Sequence, residues 1–328
     1  MRSRVPPRST PSGRTHRAIP ILAIAVLLAG IVLPASAAGA SSDSCDPVRS
    51  LLGLCPVAPS APPPSSSPTP TCGDETPLRA DGSAWHCAFD EEFDGAHLDS
   101  SKWTVQTTAS YGFHSGEECM VDDPDNISVS GGHLNLTVRD VGAEFTCKTP
   151  KGGYVTHYTG ASVYTAAFAQ EYGRFEVRAK FPESSGTAGI QSSLWLFPHQ
   201  MTVTGLLAAG STEIDIAESY SKRPDIVNPT VHGISLSSLL LNSYCSVPDW
   251  GADFHTYAVE WSPATITFIY DGAACLKVAT PPTLPSSMRS PNPFVIALSQ
   301  ALGIGTNRND QYTPLPATEQ IDYVRAWS

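Results

Sequence analysis

From residue 72 to residue 328, apolar residues recur at every second position over short stretches, with Gly, Pro, Asn or Asp between the stretches. The stretches at 127–129, 133–138, 174–180, 192–197, 257–261, 265–270, 294–298 and 320–327 read as strands that are apolar on one face. No segment sustains a helical period. Short strands separated by turn residues, in a stretch of roughly 250 residues, predict one all-β domain: a jelly-roll sandwich of two antiparallel sheets. The chain before it has a different pattern. Residues 18–33 form an apolar run behind Arg2, Arg4, Arg8, Arg14 and Arg17, and Pro34-Ala35-Ser36-Ala37 supplies small residues for cleavage. Residues 1–37 therefore read as an export signal, too short and too early broken by Pro20 for the ~20-residue span of a membrane helix. Residues 38–71 show no period, and their Pro/Ser/Ala composition reads as a linker.

Alternation is broken informatively at Glu213-Ile214-Asp215-Ile216-Ala217-Glu218. On a strand, Glu213 and Asp215 share a face, and Ile214 and Ile216 share the other. Strict alternation would put Ala217 beside the acids. One extra residue, a β-bulge between Asp215 and Glu218, returns Glu218 to the acid face. With side chains leaning inward on a concave sheet, the Glu213 and Glu218 carboxyls would then sit about 5 Å apart, the separation of a retaining glycosidase pair. Two plainer readings stand beside this. Thr212 with Asp215 could form a helix capping box, or the acids could form a solvated strand face. The interleaved isoleucines argue against the helix. Like charges with no Lys or Arg before Lys222 argue against the solvated face.

Charge narrows the partners. The whole chain has 20 Lys+Arg, 31 Asp+Glu and a formal charge of −11, and loss of the five signal arginines would lower that to −16. Such a chain disfavours nucleic acid, anionic membranes and sulfated polysaccharides, and it is compatible with a neutral glycan. Eight cysteines form an even set, as expected for four disulfides in an exported protein. Sequence leaves the connectivity open. Neighbour pairing suggests Cys45–Cys55, Cys72–Cys87, Cys119–Cys147 and Cys245–Cys275. Cys45–Cys55 would close a short loop within the linker.

The acidic stretch matches the E-x-D-x-x-E signature of glycoside hydrolase family 16, in the bulged form of laminarinases, agarases and carrageenases. The resemblance extends across residues 72–328. It includes Glu91-Glu92-Phe93-Asp94-Gly95, the segment from Asn126 to Leu136, Tyr172-Gly173-Arg174-Phe175-Glu176-Val177-Arg178, Ser193-Leu194-Trp195-Leu196-Phe197-Pro198 and Asp322-Tyr323-Val324-Arg325. It implies a concanavalin A-like jelly roll with a concave substrate cleft. It also implies that Glu213 is the nucleophile, that Glu218 is the acid/base held protonated by its neighbours, and that Asp215 steadies Glu213. Trp195, whose parity puts it with Ser193 and Phe197, is expected to stack on a pyranose ring. His232 takes the family's cleft-histidine position, and Asn126 is expected to touch a sugar hydroxyl. Trp103, Trp261 and Trp327 are assigned to the core, and Tyr220, Tyr244 and Trp250 to the cleft rim.

Some family members bind a structural calcium, which here would use Glu92, Asp322 and a carbonyl of the Gly131-Gly132 turn; catalysis itself needs no cofactor. The chain departs from the family pattern at residues 204–211, where no aromatic precedes the acids, at Thr230-Val231-His232-Gly233 and at Leu298-Ser299-Gln300. The expectation is a secreted, monomeric, retaining endo-β-glucanase acting on internal β-1,3 or mixed β-1,3/1,4 bonds. The rivals are a transglycosylase, a galactan hydrolase and a non-catalytic glucan-binding protein.

Overall fold

The computed structural model describes residues 71–74, 76–199, 213–232, 244–279 and 293–328. The expected signal, the Cys45–Cys55 loop, the linker up to residue 70 and the 204–211 departure lie outside them. Sixteen strands carry almost all the regular structure of the described residues.

One sheet carries the acids. From one edge to the other it runs β11 (Cys245–Ser246), β10 (Ile226–His232), β9 (Glu213–Tyr220), β8 (Ile190–Pro198), β15 (Phe294–Leu302), the second half of β6 (Gly152–Thr165) and β2 (Trp103–Val105). The other sheet runs β4 (Ile127–Ser130), β5 (His133–Thr149), β16 (Ala317–Trp327), β7 (Gly173–Lys180), β12 (His255–Trp261), β13 (Thr265–Tyr270) and β14 (Ala273–Ala279). Strand β1 (Cys87–Glu91) pairs with the far end of β16, and β3 (Cys119–Met120) pairs in parallel with β6. The long β5–β6 hairpin joins the sheets, with a register shift between Asp140 and Phe145. The fold is the antiparallel jelly roll expected, and all eight strands foreseen from alternation are present.

The core lies between the sheets. Leu194, Ile214, Ile296 and Val163 from the first meet Phe175, Val177, Val259, Phe268 and Ile321 from the second, all buried. Each such side chain contributes ~1.5–3 kcal/mol relative to exposure. Trp103, Trp261 and Trp327 are buried as expected. Trp250 is not a rim residue: it packs edge-on against Phe181 within the core. Three of the expected disulfides form: Cys72–Cys87, Cys119–Cys147 and Cys245–Cys275. The last joins β11 to β14, the edge strands of the two sheets, so it acts as a staple across the sandwich.

Candidate active site

The site begins with a backbone irregularity in β9. Against β8, Ala217 pairs with Leu194 and Asp215 with Trp195, which leaves Ile216 without a counterpart. Against β10, Glu218 pairs with Asn228 and Asp215 with Thr230, so Ile216 and Ala217 together face the single Pro229. Proline has no N–H to offer the ladder, which suits it to a bulge. The Tyr270 hydroxyl, reaching across from the opposite sheet, donates to the Ile216 carbonyl at 2.7 Å. Ile214, Ile216 and Ala217 all point into the core. Glu213, Asp215 and Glu218 all line one cleft of about 430 Å³. The bulge lies where the alternation broke.

Burial dominates the electrostatics of the three acids. Asp215 is almost wholly buried, and desolvation followed by the charge of Glu218 pushes its carboxyl well above the usual range. Burial and then the Asp215 charge push Glu213 up to about 8. Glu218 is also raised, by burial first and by Glu213 less strongly, while hydrogen bonds from Tyr220 and Gln191 pull it back. The sequence suggests an ionised Glu213 and a Glu218 protonated by neighbouring charge. In the structure desolvation is the larger cause, and it acts on all three carboxyls. His232 opposes this. Its Nε2 lies 2.9 Å from Asp215 Oδ2 and 3.8 Å from Glu213 Oε1.

The other expected contacts divide. Trp195 lines the same cleft, but Phe113 stacks on it at 5.5 Å and Phe197 at 4.8 Å. Its indole N–H donates to Ser299 Oγ at 3.1 Å, and only 7% of the residue is exposed. It forms a cleft wall whose rings are largely covered by protein. Asn126 is placed elsewhere: it precedes β4 in the second sheet, and its amide donates to the Thr137 carbonyl at 2.8 Å. Tyr220 stands half-buried beside Glu218, and Tyr244 is exposed under the Arg223 guanidinium.

The calcium set does not fit. Both Glu92 oxygens accept from Arg325, at 2.7 and 2.8 Å, and Asp322 is paired with Arg178 and His133. A cation there would have to displace two guanidinium groups. Among the described residues, the one group with metal-ligand spacing is Glu213, Asp215 and His232, whose ligand atoms lie within 4.8 Å of one another. An ion held there would compete with any chemistry done by the acids.

Several residues at the site were not foreseen. Gln191 donates to Glu218 Oε1 at 3.0 Å, and Ser115 Oγ donates to Gln191 Oε1 at 2.9 Å. Tyr270 supports the bulge, and buried Glu118 anchors the loop that carries Ser115. Parity with Ser193 along β8 could have put Gln191 on the cleft face; the others come from distant segments.

The sequence profile of Glycosyl hydrolases family 16 matches residues 116–325. The chain is similar to Glucan endo-1,3-beta-glucosidase A1 of Niallia circulans, 27% identical over 290 residues, covering 82% of this chain and 42% of that protein. It is also similar to a Beta-glucanase of Rhodothermus marinus, 28% identical over 257 residues, covering 74% of this chain and 85% of that one. It therefore spans less than half of the first relative and most of the second. Among solved structures, the laminarinase catalytic domain from Thermotoga maritima MSB8 superposes with a TM-score of 0.61 at 25% identity, covering 74% of this chain and 98% of that one.

Proposed function

The chain belongs to glycosyl hydrolases family 16, and on that premise we propose that it is a secreted endo-β-glucanase cleaving internal β-1,3 or mixed β-1,3/1,4 bonds with retention. The observation that carries this reading is the bulge at Ile216, which gathers three carboxyls from one strand into one cleft. In the first step, charged Glu213 attacks the anomeric carbon while Glu218 passes its proton to the departing glycosidic oxygen. In the second, Glu218 takes a proton from water, and the water oxygen displaces Glu213 from the sugar. Asp215, held by His232, shares a hydrogen bond with Glu213 and so sets how readily that carboxyl gives up its proton.

A neutral β-glucan is favoured over a sulfated galactan by the acidity of the chain and by the names of its relatives. Export is supported by the basic and apolar leader sequence and by the disulfides. Among the described residues, no helix is long and apolar enough to cross a membrane. The test is reducing-sugar release from laminarin, lichenan, agarose, carrageenan and xyloglucan, with NMR of the first anomer formed. Laminarin or lichenan should yield the β-anomer first. Selective cleavage of agarose or carrageenan would replace the substrate assignment. Longer products at high acceptor concentration would indicate transglycosylation, and no release from any of the five would leave a binding protein.

A further inference from the structure

We propose that Gln191 is a positioning residue for Glu218, held in one amide orientation by Ser115 and, through Ser115, by the buried carboxylate of Glu118. The inference rests on the reading of Glu218 as the acid/base and adds the device that aims it.

The chain of contacts starts in the interior. Glu118 is completely buried, and its carboxylate accepts backbone N–H bonds from Ser115 at 2.7 Å, Gly116 at 3.0 Å and Leu302 at 3.1 Å. A carboxylate satisfied by three backbone donors fixes the loop that makes them. Gly116 is required for the close approach, since a Cβ there would come within 2.9 Å of the Leu302 carbonyl and 3.1 Å of Glu118 Oε2. The next residue, Cys119, ties the loop to β5 through Cys147. So anchored, Ser115 presents its hydroxyl to Gln191 Oε1.

The two contacts of Gln191 together decide which way the amide faces. A hydroxyl donor is best met by the amide oxygen, which leaves the amide N–H for Glu218 Oε1. The flipped amide would set its oxygen against the carboxylate and forfeit that bond, and the Ser115 hydroxyl would have to turn and accept instead. Register puts Gln191 opposite Tyr220 and Ser193 opposite Glu218, so Gln191 reaches Glu218 diagonally across the ladder. Glu218 Oε1 is thereby held, and the carboxyl is turned by this bond together with the one from Tyr220. The titratable groups around Glu218 are Glu213, Asp215 and Tyr220 on its own strand, His232 on β10 and Tyr270 on β13. The Gln191 amide is neutral at every working pH, so it can orient the acid in both of its protonation states.

The test is the pH profile of kcat/KM on a soluble β-glucan oligosaccharide for the parent, Gln191→Leu, Ser115→Ala, the double variant and Glu218→Gln. A hydrogen bond to the charged form lowers a carboxyl's pKa, so its loss should move the alkaline limb of Gln191→Leu upward by about half to one pH unit. Its kcat should fall about ten-fold while KM changes less than two-fold. Ser115→Ala should shift the same limb in the same direction, by less, and the double variant should match Gln191→Leu alone, because both act through one contact. Gln191→Glu should not restore the parent profile, since it offers no fixed donor. An unmoved alkaline limb in Gln191→Leu, or a loss confined to KM, would make Gln191 a substrate contact and overturn the proposal. Additive effects in the double variant would break the link to Ser115. An alkaline limb that survives Glu218→Gln would remove the acid/base assignment, and the relay with it.

Discussion

Both sheets carry charged rows on their outer faces, and they treat them in opposite ways. On the outer faces of β7 and β16, acids are matched by arginines, while Glu319 of β16 turns inward and burial raises its carboxyl. Arg174 is paired with Glu176 and Glu260, Arg178 with Asp322, and Arg325 with Glu92. On β9, three acids stand together with only His232 beside Asp215 and Glu213. The first arrangement gives each of these carboxylates a guanidinium partner, and the bonds from Arg325 outweigh burial at Glu92 and hold its carboxyl below the usual range. The second raises all three carboxyls, as expected where proton transfer rather than stability sets the residue choice. The comparison therefore separates charges that hold the fold from charges that are stressed by it.

The largest expected effect comes from removing Glu213, the proposed nucleophile. Glu213→Gln should fold normally and lose activity by several orders of magnitude, because no glycosyl ester can form. Glu218→Gln should keep its glycosylation step on substrates with good leaving groups, so that stopped-flow shows a burst followed by slow release. Next in size is the staple between the sheets. Replacing Cys245 and Cys275 by serine should cost roughly 3–4 kcal/mol in urea denaturation, given a loop of 30 residues. A loss below about 1 kcal/mol would show that the sandwich does not depend on that edge.

The two charged faces should then respond to substitution with opposite signs. Arg325→Met strands Glu92 and should destabilise by about 2 kcal/mol near neutral pH. Glu213→Gln should instead stabilise. Its folded carboxyl titrates near 8 against roughly 4.3 for an unfolded glutamate. The folded state thus holds the proton over that interval, and parent stability falls as pH rises from the unfolded value through the folded one. The Gln variant should lack this fall. Its advantage should be absent at pH 4 and reach on the order of 2 kcal/mol by pH 9, because the Glu213 side chain is still 30% open to screening water. Melting curves at pH 4, 7 and 9 check it; parallel curves for parent and variant would contradict the burial argument. The smallest effect is Tyr270→Phe. Losing its bond to the Ile216 carbonyl should cost ~1–2 kcal/mol and lower kcat more than it raises KM, since the bulge loses its support.

Much of this was legible in the chain because its signals are local. Alternation marks β7 and β13 almost to the residue, and the misplaced Ala217 announces the bulge two residues before Glu218. The extension of β5 beyond Val138 was not legible, because Arg139-Asp140-Val141-Gly142 carries no alternation and a register shift absorbs it. Trp250 and Trp195 show a second limit. Side-chain parity gives a face, but whether that face is open depends on Phe181 in one case and on Phe113 from a distant loop in the other. Parity could place Gln191 on the cleft face but not name its partner, and the contacts of Glu118 with Leu302 and of Tyr270 with Ile216 cross far more sequence than any local signal spans.

The central claim is that the bulge turns one strand into a covalent catalytic site with Glu213 as its nucleophile. The most direct measurement is peptide mapping by mass spectrometry after treatment with an activated 2-deoxy-2-fluoro β-gluco-oligosaccharide. The fluorine slows both steps, and the good leaving group restores the first, so the glycosyl ester accumulates. The account predicts one sugar adduct per chain on Glu213, forming at least an order of magnitude more slowly in Tyr270→Phe and absent in Glu213→Gln. An adduct on Asp215 or Glu218, or inversion at the anomeric carbon with no adduct at all, would contradict it.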